Sequence, residues 1–82
     1  MKLLWGQRNL EKIRAHGLEP DEVESAFDAD DWATTPSDKP YRMIGEGTSH
    51  TNRLLRIVYA ETEDGPYPIT AFRIHRRQRR TL

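Results

Sequence analysis

Apolar and polar positions fall along this chain in two different rhythms. From Leu54 to Ala60 every residue except Arg56 is apolar, and Ile57, Val58 and Tyr59 have the branched or aromatic side chains that favour extended backbone. Tyr67 to Ile74 repeats the pattern, and between the two runs lies Glu61-Thr62-Glu63-Asp64-Gly65-Pro66, a polar segment with Asp-Gly turn chemistry. Two such runs around such a loop predict a hairpin. By the two-residue period, Ile69, Ala71, Arg73 and His75 share one face of the second strand, and Thr70, Phe72 and Ile74 share the other.

Upstream the rhythm is helical. Leu10, Ile13 and Gly17 fall on one side of a helix over Gln7–His16, with Gly17 suited to the residue just past its end. Asn9, Lys12 and His16 form a neighbouring polar stripe, with Arg8 close by. A second helix is predicted over Pro20–Phe27: proline suits its first position, Asp21 and Glu22 suit its positive end, and Val23, Ala26 and Phe27 give it an apolar face. The remaining expectations are short. Lys2–Trp5 reads as a strand ended by Gly6, Trp32–Thr35 as a weak strand, Tyr41–Ile44 as a strand closed by Gly45, and Glu46–Asn52 as a turn. Together these elements predict an α+β domain over residues 1–82, two N-terminal helices packed on one face of an antiparallel sheet. The expected core is Leu10, Ile13, Val23, Phe27, Ile57, Tyr59, Phe72 and Ile74, joined by Trp5 and Trp32.

Length limits what this core can do. A chain of 82 residues buries only about 60% of its unfolded surface, so its stability is modest. The 13 basic and 13 acidic side chains cancel, and their distribution carries the information instead. Seven carboxylates and no Lys or Arg lie between Glu19 and Asp31, whereas Gly65 to Leu82 holds five Arg and no carboxylate. That asymmetry fits a molecule with one anion-attracting face. Without cysteine there is neither a disulfide framework nor a thiolate metal site, and the three scattered histidines lack carboxylates at ligand spacing. No metal and no cofactor is expected. No stretch approaches a membrane span and no signal-peptide pattern opens the chain, so the expectation is a soluble cytoplasmic protein.

The candidate chemistry gathers at the end of the second hairpin strand. Arg73 is delivered by a strand, and Arg76, Arg77, Arg79 and Arg80 follow directly, as a phosphate-holding cluster or as a solvated basic tail. Arg73 could equally pair with an acid of the second helix. Lys12 and His16 could join the cluster or line a solvated helix face, and the His16 ring could cap helix-end carbonyls.

Five pieces of the chain, in order, resemble the BrnT toxins of bacterial type II toxin–antitoxin systems. Trp5 with Asn9, His16 and Gly17 is similar to W-D-x-x-K-x-x-x-N-x-x-K-H-G, and Val23–Asp28 to A-x-x-V-F-D. Tyr41–Gly45 is similar to Y-x-x-I-G, Arg53–Tyr59 to G-R-L-L-x-V-V-Y, and Ile69–Arg73 with its basic run to I-I-S-A-R. The chain departs from the pattern in four places: Gly6 replaces an aspartate, Ala15 replaces a lysine, Ala71-Phe72-Arg73 stands for S-A-R, and the threonine and glutamate of a helix-starting box after the arginine are absent.

The resemblance implies a RelE-like fold and an endoribonuclease that cleaves RNA without metal, inhibiting translation and growth. In that chemistry the 2′-hydroxyl attacks the adjacent phosphate, which calls for a base, a cation facing the developing charge and an acid for the leaving oxygen. The resemblance assigns Arg73 and His16 to catalysis. Asn9 and Lys12 could then orient RNA, Arg76, Arg77 and Arg79 are expected to contact its phosphates or the antitoxin, and His75, which has no counterpart in the family, is expected to join the RNA contacts. His50 is expected to be merely exposed. The implied partners are RNA and a cognate antitoxin of ribbon-helix-helix type, similar to BrnA, in a higher-order toxin–antitoxin complex. The departures keep a second reading open, a catalytically decayed protein- or nucleic-acid-binding module of the same fold. A third is a DNA-binding accessory protein using the arginine tail.

Overall fold

The computed structural model describes residues 3–75. Two helices, α1 (Gln7–Ala15) and α2 (Pro20–Phe27), precede four strands, β1 (Ala33–Pro36), β2 (Met43–Thr48), β3 (Leu54–Thr62) and β4 (Gly65–Arg73). The strands form one antiparallel sheet in the order β1-β2-β3-β4. The protein is an α+β fold with its helices N-terminal to its strands, as the two rhythms predict. Helix α1 packs on β4, and α2 packs on β2 and β3.

Alternation along the strands decides what each face does. Leu55, Ile57, Tyr59 and Ala71 point to the helices and meet Ile13, Leu18, Val23, Ala26 and Phe27 in one buried core, completed by Leu3. Trp5 and Trp32 pack against it. Six of the eight expected core residues are buried, while Leu10 and Phe72 are only half-buried. Leu10 fails because the inward stripe of α1 runs through Asn9 and Ile13, not through Leu10 and Gly17. Phe72 fails because it stands opposite Arg56, on the sheet face away from the core, where the His16 ring gives it partial cover.

Gly45 does not close β2. The strand continues through Gly45 and Gly47 to Thr48, because both glycines lie where no side chain fits. A Cβ on Gly45 would sit 2.0 Å from the Trp32 ring, and one on Gly47 would sit 2.2 Å from the Ala26 carbonyl oxygen. Absent side chains thus let Trp32 and the end of α2 settle onto β2. The turn after β2 holds Asn52 at φ 65°, a left-handed conformation that asparagine tolerates. The β3–β4 turn is tighter than the expected six-residue loop: Thr62 pairs with Gly65, and Gly65 adopts φ 128°.

The edge strand β4 contains Pro66 and Pro68, residues without an N–H that a central strand would exclude. Their carbonyls are covered from outside, Pro66 by the Leu4 N–H at 3.0 Å and Pro68 by the Asn9 side-chain amide at 2.9 Å. The segment around Leu4 therefore lies along β4 without becoming the strand expected over Lys2–Trp5. The prolines have no N–H to return, and the Leu3 N–H turns instead to Glu24. The β3–β4 register slips between Val58 and Tyr59, so Ile69 is an extra residue between Pro68 and Thr70. Ala71 and Arg73 keep the common face expected of them, but Ile69 falls out of that series.

Candidate functional site

Arg73 ends β4 opposite Leu55, on the helix side of the sheet but beyond the helical cover, where it is exposed. His16 is the residue that ends α1. Because α1 packs on β4, the ends of these two elements meet: the His16 ring lies 5.8 Å from the ring of Phe72, the immediate neighbour of Arg73. Lys12 is exposed one helical turn before His16, and His75 is exposed two residues after Arg73. His16 and Arg73 thus lie at neighbouring ends of α1 and β4, with Phe72, which His16 meets, and Arg73 pointing to opposite faces of the sheet. Arg76, Arg77, Arg79 and Arg80 lie outside the described residues.

The acids of α2 that could have neutralised Arg73 are engaged elsewhere. Glu24 accepts from the indole Nε1 of Trp5 at 3.0 Å and from Leu3 N–H at 3.1 Å. Glu22, buried, accepts from the hydroxyls of Ser49 and Thr51 and lies 3.7 Å from Arg53 Nε. Asp21 faces His50 Nε2 at 3.9 Å. Nor does a carbonyl-capping role claim His16, whose backbone N–H bonds Ile13 O while its ring rests on Phe72.

Asn9 is a correction. It is 1% exposed, and its side chain is consumed by the fold: Oδ1 accepts from Gly6 N–H at 2.8 Å, and Nδ2 donates to Leu4 O at 3.0 Å and Pro68 O at 2.9 Å. An amide so used cannot orient RNA. Its task is to start α1 and seal the edge of β4. His50 is also more than exposed, since its N–H and Nδ1 both meet Ser25 Oγ, at 3.0 and 2.8 Å. With the Glu22 bonds, these contacts fasten the β2–β3 turn to α2.

The sheet face opposite the core carries a feature that the predicted elements do not include. A groove of about 730 Å³ is lined by Ala33, Thr35 and Ile44, by Val58, Arg56 and Glu46, and by the β1–β2 loop with Lys39 and Arg42. On its floor Arg56 donates to Glu46 Oε2 through Nε at 2.9 Å and Nη2 at 2.7 Å. Arg42, Ile44 and Glu46 show the alternation that would have revealed this face. Ending the strand at Gly45 concealed it.

No helix among the described residues is long and apolar enough to cross a membrane, and no cluster of His, Cys, Asp or Glu among them could hold a metal ion. No protein-family model, curated protein or solved structure matches the chain.

Proposed function

We propose that this protein is a ribonuclease toxin of the BrnT type, cutting RNA through its own side chains and held in check by an antitoxin. One observation carries the reading beyond motif resemblance. The docking of α1 on β4 joins the ends of two elements far apart in sequence, and those ends carry the imidazole and the arginine that the chemistry needs.

The reaction follows from the groups available. A base removes the proton of a ribose 2′-hydroxyl, and the oxygen attacks the neighbouring phosphorus. Arg73 faces the extra negative charge of the five-coordinate phosphorus, and its planar fork suits two phosphate oxygens at once. The 5′-oxygen then leaves and takes a proton, giving a 2′,3′-cyclic phosphate and a free 5′-hydroxyl. His16 is the group proposed to move the proton. Lys12, one helical turn before His16, His75, two residues after Arg73, and the arginines beyond it attract the RNA backbone or an acidic antitoxin segment.

The test is cleavage of RNA by the purified protein, with induced expression in a bacterial host as its cellular counterpart. RNA fragments ending in cyclic phosphate, and arrested growth relieved by the neighbouring antitoxin gene, are the expected results. An intact RNA pool and unaffected growth would replace this reading with a non-catalytic binding module.

A further inference from the structure

The groove opens on the sheet face opposite the core. Arg56 and Val58 line it from β3, whereas Arg73 pairs with Leu55, whose side chain lies in the core on the other face. Its wall holds an incomplete arginine. Arg42 Nε is shut away from solvent and finds no hydrogen-bond acceptor among the described residues. A donor so placed is costly to leave unmade, and a guanidinium drawn outward by a two-oxygen anion would satisfy it. Arg56 is neutralised by Glu46, so Arg42 and Lys39 are the cations that remain for an incoming ligand. Tyr41, beside them, is 65% exposed, with the Arg42 guanidinium carbon 5.9 Å from its ring centre.

We propose that this groove is a second RNA contact, holding a single-stranded segment with a phosphate on Arg42 and Lys39 and a base stacked on Tyr41. The inference rests on the ribonuclease reading, and names where substrate away from the cut bond is gripped. Three features select nucleic acid over an acidic peptide. An exposed aromatic ring beside cations is the arrangement that holds unpaired bases. Ile44 and Val58 offer apolar surface to a flat heterocycle. Asp38, also in the lining, repels a run of carboxylates but accepts from the amino groups that bases carry between their phosphates.

The experiment uses a fluorescein-labelled RNA of about six nucleotides, 2′-O-methylated so that it binds without being cut. Binding is followed by anisotropy across a salt series. Arg42→Gln should weaken binding about tenfold and lower the salt slope by about 0.7. Tyr41→Ala should weaken it by about fivefold or more, and Tyr41→Phe should restore it. Circular dichroism checks that each variant is folded. Binding by Arg42→Gln and Tyr41→Ala within about twofold of wild type, with an unchanged slope, overturns the proposal. So does a wild type that ignores the RNA, including one that binds hexaglutamate through Arg42 instead. The two readings fail separately: RNA held in the groove but never cleaved sinks the ribonuclease alone, and cleavage indifferent to Arg42 and Tyr41 sinks the groove alone.

Discussion

Single side chains divide here into those spent on the fold and those left for chemistry. Asn9 belongs to the first kind. Asn9→Ala removes three hydrogen bonds, the one to Pro68 fully buried, and takes the amide donor from the Leu4 and Pro68 carbonyls, and should cost about 2–4 kcal/mol in urea unfolding. Arg73 is proposed for the second kind. Arg73→Ala should leave the circular dichroism spectrum and urea midpoint unchanged, while RNA cleavage falls on the order of 10²-fold or more. Equal cleavage rates would remove Arg73 from the site. Tyr59 adds a pH dependence to the core. Burial, with the charge of Glu61 as a smaller contribution, raises its phenol above the ordinary value near 10. Its neutral form is therefore favoured in the folded chain. This contribution is complete below the unfolded pKa of about 10 and is lost as pH rises through the higher folded value. Unfolding free energies measured up the alkaline limb should show that loss, and Tyr59→Phe should reduce it.

At the scale of elements, contacts made through missing atoms matter as much as contacts between side chains. Strand β2 is laid under α2 by two glycines. Gly47→Ala would press a methyl carbon against the Ala26 carbonyl, backbone that cannot swing aside. The expected loss is about 1–3 kcal/mol, read from chemical denaturation. The unusual edge of β4 has a related cause. Two prolines forbid a full partner strand, and the segment around Leu4 with Asn9 covers the carbonyls they leave outward. The β2–β3 turn is tied to α2 by Glu22 and Ser25, which accounts for two polar groups that would otherwise be poorly placed in a helix packed on a sheet.

Over the whole molecule, zero net charge conceals a separation. The acid-rich α2 covers β2 and β3, and its carboxylates serve the N-terminal segment and the β2–β3 turn, while Lys12 and His16 are carried by α1 and Arg73 by the strand it packs on. RNA affinity should therefore depend steeply on salt despite the balanced composition. Replacing Arg76, Arg77, Arg79 and Arg80 with glutamine should weaken binding and reduce the salt slope by about 0.7 for each phosphate that is no longer neutralised. An unchanged slope in a filter-binding titration would mean that the tail does not touch the RNA backbone.

The sequence by itself determined the two helices, the β3–β4 hairpin and the α+β class, because each carries a strong local period and local turn chemistry. It also delivered Arg73 to a strand end, since alternation from Ala71 to Arg73 is local. The tertiary structure decided what depends on neighbours remote in the chain. Gly45 reads as a stop until Trp32 is seen lying on it, and Asn9 reads as a surface residue until the Pro68 carbonyl, 59 positions away, is found bonded to it. The groove of Arg42 likewise needed the register that sets Glu46 against Arg56. Periodicity reports which way a side chain points, but only packing supplies what waits there.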